Sequence, residues 1–189
     1  MKVGEKMQQG NLRRAFTYFE SGPVLLVTTH DAGTDDIMTI SWHMVMDFSP
    51  HIAITTGPWN ESYQRILDTK ECTLCVPGVD LLDAAIRIGT TNGSKVDKFT
   101  DCHFSKLPGK SVRAPLIGEC LAALECRLEQ VVDDYGILIF KGLRLWENPD
   151  RTERRTFHAN GDGTFFADGE LFNRREAMRQ WVPEGCERL

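Results

Sequence analysis

The sequence predicts an all-β fold, a barrel or a sandwich, with a few minor helices. Three observations carry this. At least six short segments rich in β-branched and aromatic residues follow one another. Clusters of Gly, Pro, Asn and Asp punctuate them, as turns do. Nowhere does a strand-helix-strand alternation of the doubly wound kind appear.

Each element has its own signal. Residues 24–30 are opened by Gly22-Pro23 and closed by Asp31-Ala32-Gly33, a strand and then a turn. Residues 37–46 form the second strand and 52–56 the third, with Ser49-Pro50 breaking the connection. Residues 60–67 read as a short helix with Asn60 as N-cap and Ile66 and Leu67 facing inward. Residues 71–76 are a strand stopped by Pro77-Gly78. Asp80 then opens an amphipathic helix whose buried side is Leu81, Leu82, Ala84, Ala85 and Ile88. Residues 89–97 are polar and glycine-bearing, hence a loop. Two longer strands, 121–132 and 137–145, flank the hairpin turn Asp133-Asp134-Tyr135-Gly136. A turn at 159–163 precedes Phe165-Phe166, and 173–181 reads as a closing helix with charge on its outer side.

Composition narrows the function classes. A chain of 189 residues fits one domain with a proper core. Its net charge of −5 argues against a nucleic-acid binder, whereas a phosphate ligand needs only a few local cations. No apolar run approaches the roughly 20 residues of a membrane span. The first 22 residues are polar and lack the apolar centre of a secretory leader, so the expected location is cytoplasmic and the six cysteines are expected to be reduced.

Several local patterns have the look of a site without its chemistry. Cys72-Thr73-Leu74-Cys75 has redox spacing but lies in a strand, where residues three apart face opposite sides. The histidines at 30, 43, 51, 103 and 158 show no paired metal spacing. The turn at 160–163 lacks the glutamate of a calcium loop, with Leu171 in that position. No metal is expected.

The densest site pattern lies between residues 23 and 63. Met38-Thr39-Ile40-Ser41-Trp42 alternates apolar and hydroxyl side chains and ends in an aromatic, which puts Thr39 and Ser41 on one strand face. Thr55 and Thr56 end the third strand beside Gly57-Pro58. Short hydroxyls beside an aromatic suit a flat ligand with a polar edge and a phosphate.

The segments Val27-Thr28-Thr29, Met38 to His43, Ser49-Pro50, Ser62, Gly89 and Val96-Asp97-Lys98-Phe99, in this order and spacing, resemble the flavin reductase-like family of FMN-binding split-barrel proteins, most of all its flavoredoxin branch. The resemblance covers about residues 12–145, and the tail around 161–163 and 168–170 resembles that branch as well. It implies one domain over 1–189, with a core of 12–145 and an extension of 146–189. The implied fold is a six-stranded antiparallel Greek-key split barrel that pairs as a homodimer, with FMN held noncovalently near the dimer interface. Cofactor contacts then fall on Met38, Thr39, Ile40, Ser41, Trp42, Thr55, Thr56, Ser62 and Lys98, with Lys95 beside them. Lys98 is the expected point charge for the phosphate, and Phe165 or Phe166 closes the site from the tail.

Two positions depart from the family pattern. Asp36 stands where relatives usually carry asparagine, and Glu61 stands where a basic residue often precedes the helix hydroxyl, with Arg65 as the nearby cation. The expected function is an FMN-binding oxidoreductase passing electrons through its flavin, with NAD(P)H or a redox protein as partner. No Gly-x-Gly-x-x-Gly follows a strand, so a nicotinamide would lie against the exposed flavin. The resemblance also leaves room for an FMN-carrying electron-transfer protein without turnover, or a split barrel that has lost flavin. No side chain is assigned as catalytic acid or base.

Overall fold

A computed structural model of the protein describes residues 7–186. In chain order its elements are β1 (Gln8–Gln9), α1 (Ala15–Phe19), β2 (Leu25–Asp31), β3 (Thr34–Ile40), β4 (His43–Val45), β5 (His51–Thr55), α2 (Glu61–Thr69), β6 (Glu71–Val76), α3 (Leu82–Gly89), α4 (Lys98–Asp101), β7 (Lys106–Leu107), β8 (Leu116–Ile117), β9 (Ala122–Val132), β10 (Ile137–Glu147), β11 (Phe157–Ala159), β12 (Phe165–Ala167) and α5 (Arg175–Met178).

The main sheet is hydrogen-bonded in the order β3-β2-β6-β9-β10-β5-β4, every pair antiparallel. Its two ends, β3 and β4, are one stretch of chain interrupted only by Ser41 and Trp42. Taken together they pair with β2 on one side and β5 on the other, which closes a six-stranded barrel. Strands β2, β3–β4 and β5 are successive neighbours and β6 returns beside β2, a Greek key. Residues 37–46 are therefore not the continuous strand predicted. The chain crosses there from one edge of the sheet to the other, and two residues leave the ladder to make the crossing.

Alternate residues of these strands feed two separate cores. Leu25, Val27, Met38, Ile40, Leu74, Leu124 and Phe140 pack inside the barrel. Leu26, Ile37, Cys75, Ala123 and Trp146 pack outside it, against Ala85 and Ile88 of α3, Phe99 of α4, and Phe157. Both strand faces are thus buried, which is why these strands read as nearly continuous apolar runs. Cys72 lies in the inner core and Cys75 in the outer one, and both thiols are free.

A buried carboxylate fixes the outer layer to the barrel. Glu125 of β9 is fully buried and accepts from the backbone N–H groups of Lys110 (3.0 Å), Ser111 and Val112 (2.8 Å), and from the Trp146 indole (2.6 Å). The loop before β8 is wrapped around this one side chain.

Two local expectations are corrected. Asn60 precedes α2 but does not cap it; its amide donates to Thr56 Oγ1 at 3.0 Å. The closing helix predicted over 173–181 shrinks to the four residues of α5, flanked by exposed Leu171, Phe172 and Trp181. It has no core to pack on, and helices shorter than about 12–15 residues are marginal in water without one. Among the described residues no helix is long and apolar enough to cross a membrane.

Candidate functional site

The outer face of β3 forms the floor of a cavity of about 390 Å³, walled by α3 and roofed by the β11–β12 hairpin. Thr39, Ser41, Ala85, Ile86, Phe157 and Phe165 line it, which makes it apolar with hydroxyls along one side. Its size falls within the roughly 300–1,000 Å³ of small-molecule sites. The Thr39 hydroxyl donates to Ala85 O at 2.7 Å, so its oxygen lone pairs remain for a donor in the cavity. At Gly89 a Cβ would meet Thr39 Cβ at 3.4 Å, the close approach that lets α3 lie against the strand.

The roof is held by polar contacts. Val24 N–H donates to Phe157 O at 2.9 Å, and His158 reaches Gly22 O and Asp168, each at 3.0 Å. Burial pushes the Asp168 carboxyl up, but hydrogen bonds from His158 and Thr156 outweigh that and hold it below its ordinary value. Phe166 stacks on the His158 ring at 4.8 Å.

A second crevice of about 230 Å³ continues from the first, sharing Gly89 and Thr90 with it. Trp59, Glu61, Asn92, Gly93 and Lys98 line it. Behind this crevice sits a closed polar cluster. Lys98 Nζ contacts Asp36 Oδ1 at 3.1 Å and donates to Ile37 O at 2.5 Å. Ser62 Oγ donates to Asp36 Oδ2 at 2.9 Å. Asp36, Lys98 and Ser62 are 3%, 6% and 1% exposed, so water screens this cluster little. The Ile37 carbonyl is available to Lys98 because β3 pairs only with β2. Arg65, the other nearby cation, is bound to Glu61 at 2.9 Å and to Thr34.

A third hollow, of about 250 Å³, lies on the β4–β5 side and is lined by Trp42, His43, Met44, Thr55 and Ile137. Burial lowers the pKa of His43, its hydrogen bond with Pro23 O raises it, and the charge of His158 lowers it again; the net shift is downward. The Nε2–H of the neutral ring donates to Pro23 O at 2.6 Å.

The strand break distributes the predicted residues. Thr39 and Ser41 share the first cavity, while Trp42 and Thr55 share the third. Met38 and Ile40 send their side chains into the barrel core, so only their backbone is available to a ligand. Thr56 is buried and accepts from Asn60. Ser62 and Lys98 meet through Asp36, and Lys95 is exposed in the neighbouring loop. Sequence reasoning missed Ile86, Phe157 and Trp59 as lining residues. Phe157 has no motif; only the hairpin register that also brings in Phe165 places it. Among the described residues, no three His, Cys, Asp or Glu side chains are grouped to hold a metal ion.

Comparison with known proteins gives consistent results. The family described as "Flavin reductase like domain" matches residues 18–167. A curated relative from Archaeoglobus fulgidus, an uncharacterized protein, is 30% identical over 108 residues, covering 57% of this chain and 61% of that one. Among solved structures, the FMN-binding domain of a flavin reductases-like enzyme from Shewanella baltica superposes with a TM-score of 0.81 at 22% identity, covering 88% of this chain and 96% of that one. Flavoredoxin of Desulfovibrio vulgaris superposes with a TM-score of 0.73 at 23% identity, covering 81% and 90%.

Proposed function

The chain belongs to the flavin reductase-like domain family, and on that premise we propose that it is an FMN-binding oxidoreductase that passes electrons through a noncovalently held flavin, with NAD(P)H as donor. The observation that carries this reading is the joined pair of cavities along β3. They give a flat apolar slot edged by Thr39 and Ser41, followed by a polar crevice at Lys98. Such a shape fits an aromatic ring system with a polar tail.

In this reading the flavin, when bound, supplies hydride acceptance and electron release. The chain's residues bind and shield it. Thr39 and Ser41 meet its polar edge, Phe157 and Phe165 exclude water from the slot, and the 89–97 loop receives the tail. The proposed unit is one domain, the barrel with its tail acting as the roof. The test is a visible spectrum of the purified protein loaded with FMN, followed by stopped-flow mixing with NADH and with NADPH. Bleaching of the flavin absorbance within seconds is expected with at least one of them. Reduction by neither sinks the donor assignment.

The proposed assembly is a homodimer. Trp42, Met44, Met46 and Phe48 alternate along and beyond β4, and all four are exposed large hydrophobics. A row like this on a short strand is unusual for a protein working as a monomer. Light scattering is expected to return twice the chain mass of 21.4 kDa, and Met44→Glu with Met46→Glu to shift the protein to monomer. A wild-type mass of 21.4 kDa at micromolar concentration rejects the dimer.

A further inference from the structure

We infer that Asp36 is a built-in counter-anion that fills the charge-recognising end of the groove, so that the site selects a flavin by its ring and ribityl chain and is indifferent to the terminal phosphate. The inference deepens the flavin reading and rests on it.

The second crevice is the only one of the three hollows lined by a lysine or arginine, namely Lys98. That ammonium already holds Asp36 at 3.1 Å and the Ile37 carbonyl at 2.5 Å, which occupies two of its three donors. The Ser62 hydroxyl has its proton on the other Asp36 oxygen. Both groups expected to grip a phosphate are therefore engaged by a carboxylate of the same chain, in a buried setting where that engagement is strong. Arg65 offers no surplus, since Glu61 neutralises it. Lys98 and Arg65 are thus cancelled by Asp36 and Glu61, and a phosphate entering the crevice would find a carboxylate behind its one lining lysine; Lys95, exposed in the 89–97 loop, does not line the crevice.

Geometry keeps Asp36 in place. The backbone of Gly93 lies directly on its carboxylate, and a Cβ on Gly93 would come within 2.1 Å of Oδ1. The loop that would receive a phosphate thus packs on the internal anion. An apolar first cavity with hydroxyls along one side is unaffected by this arrangement, and it serves riboflavin as well as FMN.

The test is a fluorescence titration of the intact wild-type chain with riboflavin and with FMN, repeated with Asp36→Asn. Wild type is expected to bind the two flavins with dissociation constants within about threefold of each other, and FMN affinity is expected to hold steady from low to moderate salt. Asp36→Asn keeps the shape but removes the charge, and it should tighten FMN tenfold or more while leaving riboflavin within threefold. Wild type binding FMN tenfold or more tighter than riboflavin overturns the inference and leaves the flavin reading standing. Binding of neither flavin by either protein overturns both. Should Asp36→Asn fail to fold, the wild-type ratio and its salt dependence decide alone.

Discussion

Replacing Glu125 by alanine is expected to cost about 4 kcal/mol of folding free energy, the scale of removing one partner from a buried charged network. Three backbone N–H groups and the Trp146 indole all donate to this one carboxylate, and Arg144 approaches it at 3.9 Å. Alanine leaves all four donors without this acceptor, and those of Val112 and Trp146 are buried. Glu125→Gln should fall between wild type and alanine, because the amide keeps an acceptor oxygen but turns N–H groups toward N–H groups. Glu129→Ala, four residues along on the exposed side of β9, is the control and should change little. Urea unfolding checks all three. A chain of this size is expected to lose roughly 10 °C of melting temperature in Glu125→Ala. A loss under 1 kcal/mol would show that the loop over 109–112 is not fastened through this side chain.

The same carboxylate shows what a sequence hides. In Leu124-Glu125-Cys126 the glutamate looks like an outward-facing strand residue, and nothing nearby marks it as buried. Its three backbone donors sit 13 to 15 residues earlier, in a loop with no motif. The strands themselves were legible. Residues 71–76 coincide with β6, and 121–132 and 137–145 lie within two residues of β9 and β10. Their turns carry glycine, proline or paired aspartates, whose conformational preferences act locally. The break at Ser41-Trp42 was not legible, because alternation runs on through it. Barrel closure, a property of the whole sheet, demands it. The closing helix failed for the opposite reason: its local pattern was adequate, but no tertiary surface meets it.

The candidate site divides in the same way. Thr39 and Ser41 share a cavity because period-two alternation is enough to put them on one face. That Lys98 is spent on Asp36 is a contact across 62 positions of sequence between a strand edge and a short helix, and no spacing encodes it. What the sequence did carry was the anomaly itself, a carboxylate just ahead of the hydroxyl-bearing strand.

Gly93→Ala tests this contact from the opposite side. The new methyl would fall 2.1 Å from Asp36 Oδ1 and 2.6 Å from its Cγ, far inside contact distance. Asp36 has little freedom to yield, because Lys98 and Ser62 hold both of its oxygens. The loop over 89–97 must therefore lift, at a cost of about 2 kcal/mol typical of overpacking. Asn92 and Gly93 leave the crevice wall with it, and flavin affinity should fall at least tenfold for riboflavin and FMN alike. If the clash with the carboxylate is the cause, truncating that carboxylate should relieve it. Asp36→Ala alone is destabilising, since it strands the Lys98 ammonium in a buried place. Adding Gly93→Ala to Asp36→Ala should then cost little more. The two changes are thus expected to be non-additive by about 1–2 kcal/mol, a coupling expected only of groups in contact. Strict additivity in urea unfolding, or a Gly93→Ala protein that binds flavin as wild type does, would mean that the loop does not rest on Asp36 and that the crevice is built differently.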